Sequence, residues 1–160
     1  MSRMVRIMFE LDPDDWHGTP VETMWAEAAV EDGRPCFQIM NSPFNVRGIS
    51  FLDFVSATPT QHDGMYNFAA VLKRGGHSTF MLLIKPDNAQ ARSLWDQLQG
   101  LGCSYESATQ RLSIGFRTLY SVDVPPTTDL SEVFRILERG EREEVWMYQE
   151  GSVYRPDAAR

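Results

Sequence analysis

The side chains that could take part in catalysis are an adjacent histidine and serine, His77 and Ser78, and two carboxylates, Glu22 and Asp53. A Ser-His-Asp triad needs the histidine within hydrogen-bonding distance of the nucleophile, with a third group that orients it. Adjacent residues of a strand point to opposite faces, which separates His77 from Ser78. The chain also has no G-x-S-x-G nucleophile elbow. This pattern therefore predicts no catalytic residue.

Metal and cofactor sites are not indicated either. The three histidines, His17, His62 and His77, lie in separate segments without the i, i+4 spacing of a helical metal site. The two cysteines, Cys36 and Cys103, are far apart and neither belongs to a C-x-x-C pair. We predict two free thiols, no metal ligands and no cofactor.

A glycine-containing segment at residues 74–79 reads Arg-Gly-Gly-His-Ser-Thr. It has no lysine at the spacing of a phosphate-binding loop and no helix pattern directly after it. Its glycines instead suit backbone with positive φ. We predict a hairpin turn between two strands.

Two segments combine acidic residues with an aromatic side chain, and these are the candidate binding residues. They are Asp14, Asp15 and Trp16 in the first segment and Glu143, Glu144 and Trp146 in the second. An exposed aromatic residue among carboxylates is a suitable contact for a basic partner. The other two tryptophans, Trp25 and Trp95, lie in apolar patterns and are expected in the core.

The charge of the chain narrows the class of partner. The formal net charge is -7 over 160 residues, so the basic patch of a nucleic-acid-binding protein is missing. An acidic surface steers the approach of basic molecules. No apolar run is long enough to span a membrane, and the N-terminus does not read as a signal peptide. We expect a cytoplasmic protein with a protein partner, no nucleic acid and no membrane.

The first half of the chain, about residues 1–77, is predicted to be an antiparallel, β-rich, barrel-like part. The alternation of Val5, Ile7 and Phe9 is typical of a half-buried strand. Glycine-containing turns separate further apolar runs. We predict strands at residues 4–11, 22–30, 35–40, 48–56 and 65–73.

The second half, about residues 78–150, has the element order of a ferredoxin-like βαββαβ unit. We predict strands at residues 78–85, 103–107, 111–124 and 145–149 and helices at residues 87–99 and 129–139. Asp87 and Asp129 are the expected N-caps, and Gly100 and Gly140 are expected to end the helices. The chain is thus predicted to be a single α+β domain over residues 1–150, with a flexible tail at 151–160.

An ordered set of residues along the chain resembles the bacterial family catalogued as domain of unknown function 4265. The matching residues are Glu22, Met24, Trp25, Ala26, Asn41, Pro43, Phe44, Gly48, Asp53, Gly76, His77, Ser78, Thr79, Leu101, Gly102, Cys103, Glu106, Asp123, Val124 and Pro125. The resemblance covers most of residues 5–150 and departs at residues 112–119, where the chain has extra length. It implies the fold and its boundaries, and it carries over no catalytic residue.

Two classes of function remain. The first is a non-enzymatic protein-binding module, such as an immunity or antitoxin-like protein that masks a basic toxin. The second is a small-molecule-binding or enzymatic domain with a cleft between the two halves, around Asn41, Asp53 and His77. The missing acid-base set favours the first class.

Overall fold

The computed structural model describes residues 3–86 and 88–156. These residues form an α+β architecture of nine strands and two helices. The elements are β1 (Met4–Glu10), β2 (Val21–Glu31), β3 (Arg34–Ile39), β4 (Phe54–Pro59), β5 (Met65–Lys73), β6 (Ser78–Ile84), α1 (Gln90–Gly100), β7 (Ser104–Leu112), β8 (Gly115–Val124), α2 (Leu130–Arg142) and β9 (Trp146–Ser152). Neither helix is long and apolar enough to cross a membrane, as judged over the described residues.

Strands β1 to β5 form a closed barrel. Their sequential neighbours pair antiparallel, and a parallel pairing between β1 and β5 closes the barrel. The predicted alternation in β1 is confirmed, because Val5, Ile7 and Phe9 are buried in the barrel core. The β2–β3 hairpin turns at Asp32 and Gly33, whose φ angles of 50° and 74° are those of the turn that suits the twist of two strands.

The segment between β3 and β4 differs from the prediction. A strand was expected at residues 48–56, but β4 begins only at Phe54. Gly48 and Leu52 have φ angles of 85° and 71°, and this left-handed backbone cannot continue a strand. The segment is a loop that places Val46 and Ile49 in the barrel core.

The remaining strands form a four-stranded antiparallel sheet in the order β7-β8-β6-β9. Both helices contribute to one apolar cluster on one face of this sheet. The cluster contains Phe80, Leu82, Leu94, Trp95, Leu98, Val122, Val133, Leu137 and Trp146. Because side chains alternate along a strand, Met81, Ser121 and Asp123 lie on the opposite face, where the loop between β3 and β4 packs. Ser121 there donates a hydrogen bond to the Pro43 carbonyl.

Both helices are present, with shifted ends. The Asn88 side chain accepts a hydrogen bond from the Gln90 N–H at 2.8 Å at the start of α1, and the predicted cap Asp87 lies outside the described residues. Asp129 caps α2 as predicted, accepting from the Ser131 N–H at 2.9 Å. Gly100 is the last residue of α1, so this helix ends where predicted, whereas the prediction for Gly140 was wrong because α2 continues to Arg142.

The β7–β8 hairpin is longer than the sequence indicates. The strands predicted at residues 103–107 and 111–124 place a turn at residues 108–110, but the chain turns between Leu112 and Gly115. Strand β6 accompanies β8 only as far as Thr118. The outer part of the hairpin is therefore two-stranded and open to solvent. Polar residues are tolerated in such exposed strands, so their presence here does not indicate a turn. Residues 112–119, where the family resemblance departs, comprise the end of β7, the turn and the start of β8.

Residues 74–77 connect the two sheets and do not form the predicted hairpin. β5 belongs to the barrel and β6 to the four-stranded sheet. A side chain at Gly75 would overlap the backbone carbonyl of Leu52, so the connection depends on glycine at this point. At the other end of the chain, β9 extends two residues beyond the predicted boundary at residue 150. The Tyr154 N–H then donates to the Ser78 hydroxyl at 2.9 Å.

Candidate functional site

The first acidic-aromatic segment lies in the loop between β1 and β2. Trp16 is 37% exposed, and Asp14 is exposed beside it. Asp15 is half-buried and forms an ion pair with Arg47 at 2.6 Å. The Trp16 N–H and then Arg47 lower the pKa of the Asp15 carboxyl. Asp15 is therefore ionised and already paired, which leaves Trp16 and Asp14 as the free contact groups.

In the second acidic-aromatic segment, the tryptophan is buried. Trp146 was expected to present an exposed face, but it is 1% exposed. Its indole N–H donates to the Leu137 carbonyl at 3.0 Å. Glu143 follows α2 and pairs with Arg139 at 3.3 Å, and Glu144 occupies the turn into β9 with φ of 61°. The exposure expected of Trp146 was wrong, although its two acidic neighbours are exposed.

An apolar cavity of about 260 Å³ lies between Trp16 and the face of the sheet that is opposite the helices. Its principal side chains are Trp16, Met81, Leu83, Leu119, Met147 and Gln149, and we call it the Trp16 cavity. Leu83 pairs with Met147 and Met81 with Gln149 across β6 and β9, so the cavity floor is a continuous patch of the sheet. Met147 is 54% exposed at this patch.

Sequence reasoning missed the floor of the Trp16 cavity. The available signal was β6 itself, which is apolar at every position from Phe80 to Ile84. Such a run is typical of a strand that is covered on both faces. One face is covered by the helices, and the other faces the loop that carries Trp16.

The core predictions for the remaining tryptophans have opposite outcomes. Trp95 is buried at 7% exposed, as predicted. Trp25 was predicted to be in the core, but it is 45% exposed. The Arg6 guanidinium lies over its ring, 4.6 Å from the centroid, in the geometry of a cation–π interaction. Strand alternation explains the error, because the neighbours Met24 and Ala26 fill the barrel core.

The three residues of the predicted cleft do not form one site. The Asn41 side chain accepts a hydrogen bond from the Trp25 N–H at 2.8 Å. The Asp53 carboxylate is fully buried and accepts from the N–H groups of Ser50 and Gly75, each at 2.9 Å. Arg74 also donates to Asp53, at 3.1 Å. Asp53 thus binds the chain's own backbone.

His77 pairs with a carboxylate that sequence reasoning did not select. Its Nδ1 lies 2.9 Å and 3.0 Å from the two carboxylate oxygens of Asp123. Phe51 packs edge-on against the imidazole, with ring centroids 5.3 Å apart. Burial raises the pKa of Asp123, and the attraction of His77 offsets this only in part. As predicted, His77 does not engage Ser78, whose hydroxyl binds the Tyr154 N–H.

Asp123 opens into a cleft of about 210 Å³ between the loop after β3 and the β7–β8 pair. We call it the polar cleft. Its lining residues are Met40, Asn41, Ser42, Phe51, Ser104, Tyr105, Glu106, Ser121 and Asp123. Of the residues predicted to line a cleft, Asn41, Asp53 and His77, only Asn41 lines this one. His77 contacts Asp123 but is not part of the lining. The pairing register that brings Glu106 and Asp123 together could not be read from the sequence, because the hairpin turn was misplaced.

The two thiols are free and buried. Burial raises the pKa of Cys103 to about 12 and also raises that of Cys36, so neither is an activated nucleophile. Over the described ranges, no three His, Cys, Asp or Glu residues come close enough together to hold a metal ion.

These features define an α+β protein with a closed five-stranded barrel and a helix-backed four-stranded sheet, which the loop between β3 and β4 links by hydrogen bonds. Residues 22–148 match the family described as "Domain of unknown function (DUF4265)", and the chain belongs to this family. A search of curated proteins gave no match. A solved structure described as a hypothetical protein from Neisseria gonorrhoeae is similar in fold, with a TM-score of 0.66, 17% identity and 96% of each chain covered.

Proposed function

We propose that this protein works by stoichiometric binding of a basic protein, and that the Trp16 cavity accepts an apolar side chain of that partner. The observation that carries the proposal is an exposed tryptophan at the edge of a concave apolar surface. We favour an immunity or antitoxin-like role, in which the chain masks a basic toxin. Free thiols at Cys36 and Cys103 support a reducing, cytoplasmic setting for this encounter.

The composition of the Trp16 cavity supports protein contact. Tryptophan is enriched among the few interface residues that carry most of the binding energy. Methionine side chains, here Met81 and Met147, adapt their shape to different apolar surfaces. A volume of about 260 Å³ is enough for one large apolar side chain of a partner but small for a drug-sized ligand.

The charge of the chain supports a basic partner. The formal net charge is -7, and exposed Asp12 and Asp14 lie in the loop that carries Trp16. Rim charges of this kind increase the association rate more than they increase affinity. Association should therefore slow as salt screens the surface charges.

The first test compares two exposed apolar residues, each changed to glutamine. Met147→Gln keeps a similar side-chain length but places an amide in the Trp16 cavity, while Leu72→Gln changes an exposed residue of the barrel. We expect the immobilised wild-type and Leu72→Gln proteins to capture the same basic protein from a cell extract. Met147→Gln should retain about tenfold less of it, the loss expected for one buried apolar contact. Equal capture by Met147→Gln would contradict the proposal.

We also propose that the part from β6 to β9 has the ferredoxin-like topology. The supporting observations are the order β-α-β-β-α-β along the chain and the strand order β7-β8-β6-β9 in the sheet. In this arrangement both helices cover one face. The opposite face then remains for the barrel and for both cavities.

A further inference from the structure

We propose that the polar cleft is a second binding site, for a small cationic amine whose ammonium group lies between the carboxylates of Glu106 and Asp123. The site shares no lining residue with the Trp16 cavity. It therefore stands independently of the proposed protein partner.

The register of β7 and β8 places the two carboxylates on one face. Ser104 pairs with Asp123 and Glu106 with Ser121, so Glu106 and Asp123 are diagonal neighbours across the two strands. Diagonal side chains of an antiparallel pair begin about 7–8 Å apart. An ammonium group between them can donate a hydrogen bond to each carboxylate, because it carries three donors.

The two carboxylates differ in how they are held. Asp123 is only 9% exposed, and His77 contacts both of its oxygens from one side. Glu106 accepts no hydrogen bond from any other side chain or backbone group of the described residues. Burial raises the pKa of both carboxyls, because it disfavours their charged forms. A bound ammonium would favour those charged forms.

The remaining walls fit the rest of such a ligand. Met40 and Phe51 provide apolar surface for a short hydrocarbon chain, and Ser104 and Asn41 provide polar groups beside it. The Asn41 side-chain oxygen is occupied by the Trp25 N–H. A volume of about 210 Å³ lies below the roughly 300–1,000 Å³ of pockets for drug-sized ligands. The structure thus favours an amine of a few carbons.

The experiment is a two-dimensional amide NMR titration of the intact protein with 1,4-diaminobutane, and separately with 1,4-butanediol. We expect the diamine to give saturable shifts at Ser104, Glu106, Ser121 and Asp123 by about 10 mM, where a millimolar site is largely filled. The neutral diol, which has the same chain length, should leave these amides unshifted.

Two variants separate the site from general attraction to an acidic protein. Glu106→Gln removes one carboxylate of an exposed residue and should weaken diamine binding about tenfold or more, through loss of a charge-assisted hydrogen bond. Glu138→Gln, at an exposed position on α2 across the sheet, should bind like wild type. Diol binding equal to diamine binding would overturn the proposal. An unsaturated response at 10 mM, or equal affinity of Glu106→Gln and wild type, would also overturn it.

Discussion

Replacing Asp53 by alanine should lower the free energy of unfolding by about 3–5 kcal/mol, the cost of breaking a buried, hydrogen-bonded charge pair. The Asp53 carboxylate is 0% exposed and receives three donors, from Ser50, Arg74 and Gly75. The Arg74 side chain is 38% exposed and can return to water. Most of the loss therefore falls on the two backbone N–H groups that remain without an acceptor.

The matched control for Asp53 is Asp63→Ala. Asp63 also pairs with an arginine, Arg3, at 2.9 Å, but its side chain is 97% exposed. An exposed pair of this kind contributes about 0–1 kcal/mol. Chemical denaturation of both variants makes the comparison. If Asp53→Ala lost no more stability than Asp63→Ala, Asp53 would not hold the connection between the sheets.

Gly140→Ala should destabilise the protein by about 1–3 kcal/mol, the usual cost of overpacking a core. A methyl group at this position would overlap the Trp146 indole. The indole is fully enclosed and its N–H is bound to the Leu137 carbonyl, so it has little freedom to move aside. The sign is opposite to the normal preference for alanine over glycine within a helix.

Gly100→Ala provides the control for Gly140. It lies in the last turn of α1, where an added methyl group would meet no atom within 4 Å. This substitution should be neutral or stabilising by up to about 1 kcal/mol, from helix propensity alone. Thermal unfolding of the two variants would contradict the packing argument if their melting temperatures shifted in the same direction by similar amounts.

The fold was predictable from sequence where the spacing of apolar residues, or that spacing together with a helix-capping residue, clearly indicates one type of element. Val5, Ile7 and Phe9 alternate and form a strand, and Asp129 caps a helix with a clear apolar stripe. The errors occur where a distant contact decides the local structure. Gly140 reads as a helix end, but tertiary packing against Trp146 requires it inside the helix.

The candidate sites were less predictable than the fold, because they depend on pairing between distant strands. Trp16 was identified from its acidic surroundings, and it lines a cavity. Its floor comes from β6, β8 and β9, whose register depends on the whole sheet. Asn41 was identified for the polar cleft, but Asp123 and Glu106 require the β7–β8 register, and that follows only from the true position of the turn.

The most direct measurement for the proposed function is a calorimetric titration of the captured basic protein with three forms of this chain: wild type, Trp16→Ala and Trp25→Ala. Trp16 and Trp25 are both exposed, at 37% and 45%, but only Trp16 lines the apolar cavity. We predict saturation at a fixed ratio for wild type and Trp25→Ala. For Trp16→Ala we predict a binding free energy weaker by about 2 kcal/mol or more, as for an interface hot spot. Equal affinities of the two tryptophan variants would contradict the proposal that the Trp16 cavity is where the partner binds.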